Sequence, residues 1–173
     1  MSIAWRSRTG SEVERAIAYY RDALEIARRA AVEEPVRPVV FLGVGFETTA
    51  PTIAATILQA QAEGLANFSV LSLHKLTPPA TRAILNAGEV ALDGVIGPGH
   101  VTTIIGSQAW EFLPRDYGVP VAVAGFEALD ILRAVADLIE MVEEGQPAVA
   151  NSYARSVTPQ GNPAALAVLE QVF

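Results

Sequence analysis

Four short apolar runs, residues 39–44, 68–73, 95–96 and 120–124, alternate along the chain with segments in which apolar residues recur every three or four positions. This alternation constrains the fold more than any other feature. Each run is continuously apolar, as in strands of a parallel sheet covered on both faces. Parallel neighbours need long crossovers, and the intervening helical patterns supply them with the right-handed connection. The expected fold is therefore α/β, a three-layer sandwich with a mostly parallel sheet of about four strands flanked by helices.

The helical patterns carry their own start and stop signals. Ser11 and Glu14 have capping-box spacing, and Val13, Ile17, Tyr20, Leu24, Ala27 and Ala31 then step along one face until Pro35 and Pro38 end the pattern. A second helix is expected over residues 49–61, closed by Gly64, and a third opens on Pro78 and Pro79 and runs to Asn86. Residues 107–113 and 126–144 are the next two, the longer one ending at Gly145. Beyond it the chain turns polar and turn-rich before a last helical pattern that starts at Pro163 and reaches Phe173 without a stop signal. The organisation read from this is a flexible amino terminus over residues 1–10, an α/β domain over 11–145, and an irregular segment with a carboxy-terminal helix over 146–173. That last helix is expected to continue into a further domain.

Composition removes several classes of function. Of the 173 residues, 51% are hydrophobic and 18% charged, enough apolar surface to offset the entropy of ordering and build a core. The net charge of −7 gives no clustered positive surface for a phosphate backbone, so nucleic acid is excluded as a partner. There are no cysteines, which rules out thiolate nucleophiles, disulfides and cysteine-ligated metal within this chain. With no signal-like apolar run and no stretch of about 18 uninterrupted apolar residues, the expected location is cytoplasmic, with no membrane partner.

Residues 43–48, Gly-Val-Gly-Phe-Glu-Thr, follow a strand and open a helix, as dinucleotide-binding turns do. Thr48 stands where the third glycine is needed, however, and Glu47 puts negative charge where phosphate would sit. A tight strand-to-helix turn, with Glu47 complementing a helix dipole and a threonine capping, accounts for these residues better. A second copy of the turn occurs: Val44-Gly45-Phe46-Glu47 matches Ala124-Gly125-Phe126-Glu127. Both copies end apolar runs, so Gly45 and Gly125 are expected at the carboxyl edge of one parallel sheet, where open α/β sheets bind ligands. His74 and His100 also follow apolar runs. Two histidines cannot hold a metal unaided, and a loop histidine is usually a hydrogen-bonded structural residue. No Gly-x-Ser-x-Gly elbow exists for a hydrolase reading.

Taken together, Gly45-Phe46-Glu47-Thr48-Thr49-Ala50-Pro51, Pro98-Gly99-His100-Val101 with Ile104-Ile105-Gly106, Gly125-Phe126-Glu127 with Asp130 and Leu132, and Gly161-Asn162-Pro163 resemble the middle region of the HypD family of nickel-iron hydrogenase maturation proteins. The resemblance implies the central domain of a scaffold on which the Fe(CN)2CO centre is assembled with HypC-like and HypE-like partners. It implies a wall of the iron-site cleft rather than an independent catalyst, and inactivity for this segment alone. Iron and a 4Fe-4S cluster are implied for the full-length family, whereas this chain has no metal ligands or cofactor of its own. Glu47, Thr48, Thr49, His74 and His100 are then the cleft candidates, as hydrogen-bonding groups and proton carriers around diatomic ligands. Glu127 and Asp130 are weaker candidates, with helix-terminal acids as the alternative reading. Gly45, Pro51, Pro98, Gly99, Gly125 and Gly161 are the motif glycines and prolines. Glu47, Thr49 and His100 are expected to converge on one concave, exposed surface. Two other functions fit the same residues: a stand-alone interaction module, and a small-molecule enzyme using Glu47 and His100 as an acid–base pair.

Overall fold

The computed structural model describes the backbone of residues 12–34 and 36–173 and the side chains from Tyr19 onward. The first ten residues, Ser11 with its capping box, and the helix-ending Pro35 lie outside the described residues. The expected fold class is found: helices flank strands that pair in parallel. Among the described residues there are five strands rather than four, in one two-stranded and one three-stranded sheet. The chain forms two compact units.

Among the described residues, the first unit holds those up to Val44, Thr52–Leu73 and Val172. Its elements are α1 (Glu12–Glu33), β1 (Val39–Gly45), α2 (Ala50–Ala62) and β2 (Phe68–His74). Strands β1 and β2 run parallel: Val39 N donates to Asn67 O at 2.8 Å near one end, and Lys75 N donates to Gly45 O at 2.9 Å beyond the other. The core is made of small side chains, Ala23, Ala27 and Ala30 of α1 and Ala54 of α2, around Leu24 and Ile53. The Tyr20 and Phe41 rings meet at a tilt of 53° with centroids 5.5 Å apart, and the Asn67 amide donates to Ala27 O at 2.9 Å. Val40, Leu42 and Val44, alternate residues of β1, are all more than half exposed, so one face of this strand is bare rather than covered as its apolar run predicts.

The second unit holds Gly45–Pro51, His74–Gln171 and Phe173. It contains α3 (Thr77–Asn86), β3 (Val95–Pro98), α4 (Gly99–Ile105), a 3-10 turn (Ser107–Trp110), α5 (Phe112–Tyr117), β4 (Val121–Ala124), α6 (Ala128–Glu143), β5 (Val149–Asn151) and α7 (Pro163–Val172). Strand β4 is central, with Val95 opposite Val121 on one side and Val149 opposite it on the other. All four residues of β4 are buried, and they divide by size. Val121 and Val123 pack with Val101, Trp110, Phe112, Leu113 and Val157, while Ala122 and Ala124 meet Ala134 of α6. Alanine there lets α6 approach the sheet closely. The buried Trp110 indole N–H is satisfied by the Thr102 hydroxyl at 3.0 Å, which itself donates to Pro98 O at 2.8 Å.

Three local expectations are revised. The segment read as irregular after Gly145 includes β5, too short and too mixed to show a strand pattern. Gly99–Ile105 is a helix, whereas its Pro-Gly-His start reads as a loop. Gly45 and Gly125 both end strands, as expected, but those strands are β1 and β4, which belong to different sheets.

Candidate functional site at the carboxyl ends of β3 and β4

Strands β3 and β4 end in register, with Pro98 opposite Ala124, and each is followed at once by a motif glycine. Neighbouring strands lie about 4.8 Å apart, so the two turns that follow are in contact. A Cβ on Gly99 would overlap the Ala124 carbonyl oxygen and stand 2.8 Å from Tyr153 Cδ1. One on Gly125 would overlap the Asp130 carboxylate and stand 2.8 and 2.6 Å from Tyr153 Cδ2 and Cε2. Opposite edges of a single tyrosine ring therefore face the two glycines. The residues that follow them, His100 and Phe126, are exposed and pair ring to ring, with centroids 5.2 Å apart and planes 37° apart.

Beside this pair, Asp130 in the first turn of α6 is buried and binds Arg155 through both oxygens, at 2.5 and 2.7 Å. The Arg155 hydrogen bonds hold the Asp130 carboxyl below the usual carboxylate range, against an opposing push from burial. The same bonds raise the Arg155 pKa further above its ordinary value. The guanidinium also lies 4.5 Å from the Tyr153 ring centroid and 3.3 Å from the exposed Glu127 carboxylate. Arg155 is thus fully engaged, and Asp130 is a buried ion-pair residue rather than a free acid.

Glu47 is placed differently from the expectation. It is 2% exposed, and its carboxylate accepts hydrogen bonds from Thr77 N at 2.5 Å and the Thr77 hydroxyl at 2.8 Å. Thr77 is the first residue of α3, and the next two, Pro78 and Pro79, have no N–H to offer. Ala80 N already reaches Leu76 O at 3.2 Å. Glu47 therefore satisfies the one remaining free donor of that helix end and complements its dipole. Its hydrogen bonds go to Thr77, while the His100 ring goes to Phe126, so an exposed surface shared by Glu47 and His100 is not what these contacts describe.

The remaining candidates have separate surroundings. Thr48 is exposed, and the Thr49 hydroxyl donates to Phe46 O at 3.2 Å in space that only a glycine at 45 leaves free. Pro51 lies in the first turn of α2, where proline is tolerated. His74 is half-buried, 6.2 Å from the Phe173 ring centroid, and burial lowers its pKa. Gly161 (φ 77°) and Gly106 (φ 81°) face each other, both at positive φ, letting Asn162 N reach Ile104 O at 2.9 Å. The Asn162 side chain then caps α7 by accepting from Ala165 N at 3.1 Å.

Among the described residues, no three His, Cys, Asp or Glu side chains are grouped so as to hold a metal ion. A 4Fe-4S cluster needs thiolates, and the sequence has none, so these residues do not fit one. Sequence reading missed Tyr153, Arg155, Phe126 and Thr77. The first two stand in a polar stretch without periodicity, and Phe126 was noted only as part of a repeated turn. The proline pair after Thr77 was the available signal that a helix start there needs an outside acceptor.

A parallel α/β domain with glycine-seated turns at its strand ends, and without thiolates, is the class these features define. The HypD family model, described as "Hydrogenase formation hypA family", matches residues 1–173. The chain is 47% identical over 152 residues to the hydrogenase maturation factor HypD of Rhodobacter capsulatus, covering 88% of this chain and 39% of that protein. It is 44% identical over 173 residues to the hydrogenase expression/formation protein HupD of Azotobacter chroococcum mcd 1, covering 97% and 45%. It is 45% identical over 158 residues to HypD of Cupriavidus necator, covering 88% and 41%. The chain belongs to the HypD family, and it spans less than half the length of these relatives.

Proposed function

We propose that this chain forms one wall of the cleft in which a cytoplasmic HypD-family protein holds the Fe(CN)2CO centre of nickel-iron hydrogenase during assembly. The metal ligands then come from elsewhere in the intact protein. The observation that carries this is the exposed His100–Phe126 pair at the carboxyl ends of two parallel strands, the edge at which open α/β sheets take ligands. An exposed imidazole there can donate a hydrogen bond to the nitrogen of an iron-bound cyanide or carry a proton, while the aromatic ring covers one side of it. The iron centre is cargo in this reading.

HypC-like and HypE-like proteins are the partners proposed. Support comes from the outer face of α6, where Leu129, Leu132 and Ile139 are more than half exposed, and from Phe126, exposed just before that helix begins. That face equally favours a second reading, an interaction module whose task is docking alone. The acid–base enzyme reading has less support, because both Glu47 oxygens are engaged by Thr77.

The test is His100→Ala in the intact protein that carries this segment, read by maturation of the hydrogenase large subunit and by co-purification of the two partners. Loss of maturation with the melting temperature and partner binding retained is expected. Full maturation would leave docking as the function of this domain.

A further inference from the structure

We infer that Tyr153 is the positioning residue of this site: its ring, wedged between Gly99 and Gly125, sets where His100 stands over Phe126. His100 and Phe126 are exposed, with Phe126 at 76%, so burial cannot fix either side chain. What fixes them is the backbone immediately before each one. Both preceding glycines are buried, and the atoms nearest to where their Cβ atoms would lie include the two edges of the Tyr153 ring. Tyr153 is the one side chain that abuts both turns among those facing these glycines.

The ring is itself held from outside the strand ends. Arg155 lies over it while gripping Asp130, and Tyr153 N donates to the Asn151 side-chain oxygen at 3.2 Å, with Asn151 Nδ2 donating to Val157 O at 2.9 Å. A planar ring gives two fixed edges with little rotamer freedom, which is what a spacer between two turns requires. Removing it opens a void beneath both glycines, and the turns can then settle independently of each other. The motif glycines gain a physical role on this account: they are seats for a tyrosine rather than a cradle for phosphate.

The site's importance rests on the scaffold reading, but the positioning claim does not, and the experiment separates them. Nuclear magnetic resonance on this chain reads the His100 ring-current shift and the cross-peaks between the His100 and Phe126 rings, with Phe126→Ala marking complete loss. Tyr153→Phe should keep both signals. Tyr153→Ala should move the His100 ring resonances most of the way to the Phe126→Ala values and erase the cross-peaks. If Tyr153→Ala does not fold, Tyr153→Leu, which restores bulk without a second ring edge, is read in its place with the same loss expected. A folded variant lacking the ring that keeps the His100–Phe126 cross-peaks overturns the inference, and so does failure of both variants to fold, since Tyr153 is then a folding residue. Should Tyr153→Ala release His100 while His100→Ala leaves maturation intact, the positioning stands and the cleft reading fails.

Discussion

Arg155 holds Asp130 with both ends of its guanidinium, and the aspartate side chain retains 6% of its exposure. A buried carboxylate bound this way is costly to strand, because removing its partner leaves an uncompensated charge away from water. Arg155→Ala should therefore lower the melting temperature well below that of Glu127→Ala, whose carboxylate is 77% exposed and meets the same arginine. Asp130→Asn should fall between the two. Thermal unfolding of the three variants is the measurement, and equal shifts would show that the Asp130 pair contributes no more than a surface contact.

The pH dependence of the pair has a definite sign. Asp130 has a folded pKa below its ordinary value, so the stability it contributes is present above the unfolded value of 3.8 and is lost as pH falls through the folded one. Glu63 behaves alike in the first unit: Arg28 binds it at 2.7 Å and Gln59 donates to it at 2.9 Å, lowering its pKa from 4.5 to about 2. Its contribution disappears over that window, and solvent screens it because both partners are about one-third exposed. Carboxyl resonances followed by pH titration should show Glu63 turning near 2, and Arg28→Met should return it toward 4.5.

Glu47→Gln tests the cap on α3. The amide oxygen can still accept from Thr77 N and the amide NH2 can donate to the Thr77 hydroxyl, so what the substitution removes is the carboxylate charge that strengthens both bonds and complements the helix end, in a site that is 2% exposed. A loss of about 1–3 kcal/mol is expected from chemical denaturation. Thr77→Val, which removes the hydroxyl and keeps the N–H, should cost less, and the double variant should cost less than the sum. Additive losses would show that Glu47 is held by something other than Thr77.

How much of this was legible in the sequence depends on the range of the interaction involved. The longer helices α1, α2, α3 and α6 and the strands β1 to β4 were readable because their patterns are local: unbroken apolar runs, three-to-four periodicity, and glycine stops such as Gly64 and Gly145, whereas the short helix α4 carries too few residues to show a period. Strand β5 was not, since three residues carry no period and pairing with β4 decides them. At the site, the carboxyl-end turns of Gly99 and Gly125 were legible, and so were His100 and Glu127 as strand-end residues. Glu47 misled because an acid in a strand-end turn looks exposed from its neighbours, while its burial is set by Thr77, thirty positions further on. Tyr153 and Arg155 were illegible for the same reason: their partners Gly99, Gly125 and Asp130 are distant in sequence.

Trp110 offers a stability test within the second unit. Its indole N–H is buried and donates to Thr102, whose hydroxyl is also bonded to Pro98 O. Thr102→Val keeps the shape and removes the acceptor of the indole N–H, so it should cost about 1–3 kcal/mol for that stranded donor, while Pro98 O keeps its place as the N-cap carbonyl of α4. Thr102→Ser should keep most of that, with Trp110 fluorescence reporting the unfolding.

The outer face of α6 carries the last prediction. Leu129 and Leu132 are 74% and 66% exposed, so a polar residue at either position changes little apolar contact within the fold. Ala134 on the opposite face is buried against Ala122 and Ala124, and it is there that α6 is anchored. Leu129→Gln with Leu132→Gln should therefore leave the unfolding free energy within about 0.5 kcal/mol of the parent by denaturation, whereas Ala134→Leu should destabilise by about 1–3 kcal/mol through overpacking. If α6 is a docking face, the double glutamine variant of the intact protein should lose co-purification of the HypC-like or HypE-like partner while keeping its fold. Retained co-purification would move the docking surface elsewhere, and a large fall in stability would show that the two leucines pack against the rest of the protein.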